Sequence, residues 1–181
     1  MPEGMAGFGS VGRLTRPRSR LEVQAMPLAY LPMMAERAGP AGPRQLVRST
    51  RPAWCAAVPT VAAARVALVT SAAVRRAAQP PFEPPDDLSY RLIPADPAVA
   101  DLVIDHRSPV GTDARRDVEV VFPRAALAAL QRRGVVGAVA PDCLSFVGAS
   151  RHHGRVEEGL GPALAAALAS QGADLAVLVP Y

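Results

Sequence analysis

The chain has 181 residues, a formal net charge of +4 and 50% apolar residues, with 4% aromatic residues, so it can form one domain whose core consists mainly of Ala, Val and Leu. Its two cysteines, Cys55 and Cys143, are far apart and lack metal-ligand spacing, which excludes a disulfide framework and a cysteine-based metal site. No uninterrupted apolar run of about 18 residues occurs, so we predict a cytoplasmic protein with no membrane partner.

Residues 1–60 form a basic arm, rich in Pro and Ala, that we predict to be irregular. Eight arginines stand against three glutamates there, a net charge of +5, whereas the remainder of the chain carries −1. We expect residues 1–24 to be disordered, one short helix within residues 25–38, and Trp54 to anchor the arm on the domain. No binding motif accompanies the arginines, so the sequence predicts no nucleic-acid partner.

An α/β domain is predicted over residues 61–181. Strands and helices alternate with short links, the pattern of a parallel, Rossmann-like three-layer sheet. The clearest strand is residues 65–71, and residues 79–87 follow it as a rigid loop because their prolines exclude helix and central strand. In chain order, the remaining predictions are extended segments at 90–94, 99–106 and 118–122, a helix at 124–133 stopped by Gly134, a strand at 135–140, a loop at 141–154, a helix at 156–171 and a final apolar strand within 175–181.

Several polar residues follow the predicted strands. The first strand leads into Thr70-Ser-Ala-Ala-Val, so neither a dinucleotide-binding glycine fingerprint nor a P-loop is present there. Asp105 and His106, with Asp113 and Asp117 nearby, either bind a substrate and relay a proton or make the caps and turns of a polar loop. Cys143 is either a reactive thiol at a strand end or a small buried residue.

Six segments in order resemble one known family. They are Arg65-Val-Ala-Leu-Val-Thr-Ser, Gln79-Pro-Pro-Phe, Asp87-Leu-Ser-Tyr-Arg-Leu-Ile-Pro, Ala100-Asp-Leu-Val-Ile-Asp-His, Asp113-Ala-Arg-Arg-Asp-Val-Glu-Val-Val-Phe-Pro and Val136-Gly-Ala-Val-Ala-Pro. From about Ala64 to Tyr181 the chain is similar to the selenoprotein B family of glycine, sarcosine and betaine reductases, which includes the selenocysteine subunit of D-proline reductase. Members tend to carry glycines where this chain has Thr70-Ser-Ala-Ala-Val.

The resemblance implies a selenol- or thiol-dependent oxidoreductase that reductively cleaves a small amine or amino-acid-like substrate. In such members a selenocysteine or cysteine, within a Cys-x-x-Cys-like element, follows the strand that here ends at Tyr181, and Cys143 does not match it. The resemblance therefore implies a C-terminally incomplete domain without a catalytic residue of its own. The residue spacing predicts no metal and no other cofactor. We expect the reading frame to have been closed at a UGA codon that encodes selenocysteine in a full-length form; the alternative is a genuine truncation.

The predicted substrate-binding residues lie near the carboxyl ends of the strands, close to Tyr181. They are Ser71, Tyr90, Arg91, His106, Asp113 and Asp117. Arg91 is expected to pair with a substrate carboxylate. The candidate partners are a small-molecule substrate, a thiol or dithiol electron donor and a second copy of the chain. The alternative function is a non-catalytic α/β module that binds a ligand or docks to another subunit.

Overall fold

The structure is a computed structural model that describes residues 60–84, 86–106, 112–148, 150 and 152–181. Most of the predicted α/β domain at residues 61–181 falls within these ranges. The predicted arm, apart from Thr60, lies outside the described residues, and so do its expected helix, Trp54 and Cys55. The boundary between arm and domain therefore stays a prediction.

Short strands and helices alternate along the described residues. The strands are β1 (Arg65–Thr70), β2 (Val74–Arg76), β3 (Tyr90–Pro94), β4 (Leu102–Ile104), β5 (Ala138–Val139), β6 (Asp142–Phe146) and β7 (Leu175–Val179). The α-helices are α1 (Thr112–Arg116), α2 (Arg124–Arg132), α3 (His153–Arg155) and α4 (Gly161–Ser170). Two 3₁₀ turns, Val61–Ala63 and Val118–Val120, and a π-helical turn, Val156–Leu160, complete the elements.

β1 is the central strand of the main sheet, as its Val- and Leu-rich sequence predicts. All of its residues except Arg65 are buried, which is typical of a strand covered on both faces. It pairs in parallel with β7 on one side, and on the other side with β5 at its start and β6 at its end. The predicted α/β fold class is confirmed, with the difference that β3 lies antiparallel to β6.

The chain leaves the main sheet after β1 because Ala73 takes a left-handed backbone conformation. Its φ is +52°, a region that favours glycine. β2 then pairs antiparallel with β4 in a separate two-stranded sheet. The predicted strand at residues 99–106 is thus shortened to β4 and does not join the main sheet.

The segment at residues 118–122 was predicted to be extended, and this prediction is wrong. It begins with the 3₁₀ turn, because the Asp117 carboxylate accepts a hydrogen bond from the Glu119 N–H at 3.0 Å and caps the turn. Val121 and Phe122 are nevertheless buried, so the apolar pattern marked the core correctly.

The loop predicted at residues 141–154 contains β6. Cys143, Leu144 and Ser145 are buried in it, between β1 and β3. The preceding Pro141 and the polar Asp142 and Ser145 hide the strand in the sequence. In the structure the Ser145 hydroxyl accepts a hydrogen bond from the Val74 N–H at 2.7 Å, so burial leaves it satisfied.

Both long predicted helices are confirmed near their expected bounds. α2 is followed by Gly134 and α4 by Gly172, which adopt φ values of +70° and +64° as glycines do after a helix. The second helix differs from its prediction at its start, where the π-helical turn precedes α4. Pro162 accounts for this turn, because it has no N–H and its ring crowds the carbonyl four residues earlier.

One face of the main sheet packs against α2. Residues paired across adjacent strands share a face, and on this side Leu68, Ile93 and Cys143 are buried together with Phe122 and Leu127. This is the larger core of the described residues. It positions the ends of β1, β6 and β7 beside one another.

The opposite face is covered less completely. Leu160 of the π-helical turn is buried near Tyr90 of β3, whereas Leu178 of β7 leaves 71% of its surface exposed. The described residues therefore do not cover β7 on both faces, although its apolar sequence is typical of such a strand. Within the same part of the chain, no helix is both long and apolar enough to cross a bilayer.

Candidate functional site

Three parallel strands end at one edge of the main sheet. β1, β6 and β7 run in the same direction, and the antiparallel β3 begins at this edge, where Tyr90 pairs with Phe146. Ligands of open α/β sheets bind beyond the carboxyl ends of the parallel strands. The edge is therefore the candidate site.

Ser71, His106 and Tyr181 meet at this edge and are called the Ser71 cluster below. The Ser71 hydroxyl oxygen accepts a hydrogen bond from the Tyr181 N–H at 2.9 Å. The His106 ring packs edge-on against the Tyr181 ring, with centroids 5.1 Å apart. Gly148 positions Ser71, because its N–H donates to the Ser71 carbonyl at 3.0 Å and a Cβ on Gly148 would lie 2.8 Å from the Ser71 Cβ.

The environment of His106 favours its neutral form. Burial of the ring lowers the pKa of the imidazole, because the charged form is less well solvated there than in water. Its Nδ1 atom is buried and has no hydrogen-bond partner among the described residues. A neutral imidazole with an unpaired nitrogen can hydrogen-bond a ligand or exchange a proton with it.

An apolar cleft of about 330 Å³ opens beside Ser71 and is called the Ser71 cleft. Its walls come from the ends of β1, β6 and β7, namely Val69, Ser71, Phe146, Leu178, Val179 and Pro180. The volume falls within the ~300–1,000 Å³ of small-molecule sites. The Ser71 hydroxyl is the polar side-chain group of this lining, so the cleft suits the apolar part of a small ligand.

Arg91, predicted to bind a substrate carboxylate, holds the proline-rich loop. Its guanidinium donates four hydrogen bonds, to the Ser89 hydroxyl and to the carbonyls of Pro80, Pro81 and Tyr90. It also stacks 4.2 Å from the centre of the Phe82 ring. Since arginine has about five N–H donors, one remains for a ligand.

Asp113 and Asp117 are exposed around α1. Asp113 lies 4.0 Å from Arg116 of the same helix, and Asp117 caps the following 3₁₀ turn. No hydrogen bond, ion pair or ring contact among the described residues connects either carboxylate with the Ser71 cluster. Their role in substrate binding stays a prediction.

Cys143 is a small buried residue rather than a reactive thiol. Its side chain is 1% exposed, and burial raises the pKa of the thiol to about 12, although the Arg124 charge opposes this shift. The nucleophilic thiolate is then almost absent at pH 7. In the described part of the chain, no group of three or more His, Cys, Asp or Glu side chains is placed to hold a metal.

A second groove lies on the same face as the Ser71 cleft and is called the Tyr90 groove. Its volume is about 540 Å³, and it is lined by Leu88, Ser89, Tyr90, Arg155, Glu158, Gly159, Leu160 and Ala163. Tyr90 was predicted from the sequence to bind a substrate, whereas Arg155 and Glu158 were not. Their spacing of three residues near a predicted helix start was the available signal that they share a face.

The apolar walls of the Ser71 cleft were likewise not predicted from the sequence. Phe146 went unnoticed because β6 was predicted to be a loop, and pairing it with β3 would have placed it opposite Tyr90. Leu178 was predicted to be in a strand, but its exposure depends on what covers β7. Burial of this kind cannot be derived from the strand pattern alone.

No protein-family model and no solved structure matches the chain. Over 127 residues it is 31% identical to the D-proline reductase subunit gamma of Acetoanaerobium sticklandii. The match covers 70% of this chain and 52% of the relative, so the chain spans about half the length of the curated relative. The expected likeness to a reductase subunit is thereby confirmed, while assignment to the selenoprotein B family in particular stays a prediction. The similarity relates this chain to a reductase family.

Proposed function

We propose that this chain is part of a selenol- or thiol-dependent oxidoreductase of the glycine, betaine, sarcosine and D-proline reductase family. In this proposal it binds a small amine or amino-acid-like substrate at the carboxyl edge of the main sheet. The observation that carries the proposal is that Ser71 and His106 both contact Tyr181 at this edge, and that Ser71 also lines an apolar cleft, in a chain similar to a reductase subunit.

Each group at the edge has a defined task in this proposal. Ser71 orients the substrate by a hydrogen bond, the neutral His106 exchanges a proton with the substrate amine, and Phe146 and Leu178 exclude water from its apolar part. Arg91 keeps the proline-rich loop in place and offers its remaining N–H to a carboxylate.

Tyr90, Asp113 and Asp117 complete the proposed substrate-binding set. Tyr90 begins β3 at the same edge as the Ser71 cluster. The two aspartates are included only because they lie near the predicted strand end at Asp105-His106 in the sequence.

The reducing group in this proposal lies outside the described residues. Cys143 cannot serve, because a thiol with a pKa of about 12 carries roughly one thiolate in 10⁵ molecules at pH 7. A selenol or thiol therefore has to approach the edge from another part of the chain or from a partner protein. A dithiol is the proposed electron donor, and other subunits are the proposed partners.

Binding to the edge can be tested with the purified chain. D-proline, glycine, sarcosine and betaine are titrated separately while ligand-observed NMR follows binding. At least one should bind, and Ser71→Ala and His106→Gln should each weaken it about tenfold. The exposed Gln131→Ala is the matched control and should bind like the wild type. Unchanged binding by both edge variants would contradict the proposed site.

The inaccessible thiol also favours a second candidate, a non-catalytic module that binds a ligand or docks to a reductase subunit. The two functions differ in turnover when a dithiol is supplied. Reduction of any of the four compounds by the chain, unaffected by Cys143→Ser, supports the reductase. Reduction that Cys143→Ser abolishes would show that Cys143 is the redox centre and overturn the proposed location.

A further inference from the structure

We propose that the Tyr90 groove binds a small zwitterionic molecule about the size of a dipeptide. Arg155 holds the carboxylate of this ligand and Glu158 its ammonium group. The inference goes beyond the proposed reductase role, because it concerns binding without turnover in a groove that shares only Tyr90 with the proposed substrate-binding residues.

Two opposite charges in the groove are available to a ligand. Arg155 and Glu158 are three residues apart, a spacing at which an arginine and a glutamate can pair on a helix. Here neither side chain has a hydrogen bond or an ion pair within the described residues, although both line the groove. A ligand that carries both charges would satisfy both groups at once.

The local backbone keeps the groove open between these charges. The Gly161 N–H bonds the Val156 carbonyl five residues earlier, so the helix is widened at this turn. Such π-helical turns occur frequently at functional sites. Gly159, which also lines the groove, has no neighbouring atom within 4 Å of the position that a Cβ would take. The backbone next to Glu158 is therefore accessible.

The size of the groove and the separation of its charges indicate the length of the ligand. Cβ atoms three residues apart on a helix are about 5–6 Å apart, and two extended residues span about 7 Å. The 540 Å³ of the groove equals the liquid volume of about 18 waters, which exceeds what one small amino acid needs. The apolar body of the ligand would contact Leu88, Leu160 and the Tyr90 ring.

The dipeptide glycyl-leucine is the probe, with binding to the purified chain followed by ligand-observed NMR. N-acetyl-glycyl-leucine lacks the ammonium group and glycyl-leucinamide lacks the carboxylate, so each should bind about tenfold more weakly or worse. Free leucine should also bind more weakly, because it cannot reach both charges. Equal binding of either blocked form, or of free leucine, would overturn the proposal, as would no binding of glycyl-leucine.

Charge-removing variants assign the two roles. Arg155→Gln should abolish the preference for glycyl-leucine over its amide, and Glu158→Gln should abolish the preference over the acetylated form. Glu157→Gln removes a neighbouring exposed carboxylate that does not line the groove, and it should keep both preferences. Ser71→Ala should also keep them, so that a failure of the proposed reductase site is distinguished from a failure of this inference. Preferences that survive Arg155→Gln and Glu158→Gln would refute the assignment.

Discussion

Replacing Arg124 with methionine should destabilise the domain by about 2–3 kcal/mol. The side chain is 3% exposed, and its guanidinium donates hydrogen bonds to the carbonyls of Pro94 at 3.2 Å, Asp96 at 2.8 Å and Val99 at 2.8 Å. Hydrogen bonds from a charged donor contribute about 1.5–3 kcal/mol each. Methionine keeps the apolar stem beside Phe122 but makes none of these bonds.

Two effects keep the expected loss below the sum of three such bonds. The carbonyls lie at the end of β3 and in the loop that follows it, so water can replace part of the lost bonding. The Nε–H of Arg124 is also buried without a partner, and methionine removes this unsatisfied donor. The desolvation cost of the charge disappears as well.

Urea denaturation followed by circular dichroism measures the free energy of unfolding of each variant. Arg132→Met, exposed on the same helix, is the matched control and should stay within about 0.5 kcal/mol of the wild type. The Arg124→Met loss should appear as a lower midpoint with an unchanged m-value. A value within the range of the control would refute the reasoning that Arg124 ties α2 to the loop.

Three further changes have expected outcomes. Burial raises the pKa of the Cys143 thiol to about 12. This thiol should therefore leave the free energy of unfolding unchanged below about pH 8.5 and lower it by up to ~1.4 kcal/mol per pH unit above that value. The free energy of unfolding of Cys143→Ala should fall less steeply over the same pH range. Because burial lowers the pKa of His106, the contribution of the neutral ring to the free energy of unfolding is present above about pH 6.5 and is lost as the pH falls below that value. His106→Gln should therefore lose less stability between pH 7 and pH 5 than the wild type. Gly148→Ala places a Cβ 2.8 Å from the Cβ of Ser71 and should lower the free energy of unfolding by about 1–3 kcal/mol. Gly154→Ala, whose Cβ would meet no atom within 4 Å, is the control and should leave the free energy of unfolding unchanged or raise it.

The sequence predicts those elements whose signals are local. β1 and β7 are continuous apolar runs, and α2 and α4 end at glycines that adopt positive φ. β2 and the pairing of β4 with it could not be predicted in the same way, because their separate sheet depends on Ala73 adopting a positive φ that alanine disfavours. A glycine at this position would have signalled the turn.

In the candidate site, the position of a residue on the sheet can be predicted from the sequence, whereas the contacts of its side chain cannot. Parallel strands end at one edge whatever their loops do, so the position of Ser71 follows from the strand pattern. Whether a charged side chain is already paired within the fold does not follow from that pattern. Arg91 and Arg155 both lie near the start of β3, yet four N–H groups of Arg91 bond the proline-rich loop and Ser89, while Arg155 faces the Tyr90 groove without a partner among the described residues.

Residue type alone therefore does not show how many N–H groups of an arginine are left for a ligand. The carbonyls of Pro80 and Pro81 accept hydrogen bonds from Arg91 at 3.1 Å and 3.2 Å, which ties the Arg91 side chain to the proline-rich loop. Arg155, by contrast, precedes the π-helical turn Val156–Leu160, and its side chain donates no hydrogen bond to another group among the described residues. The path of the chain around each side chain, rather than the residue type, thus decides how many N–H groups of an arginine are engaged within the fold.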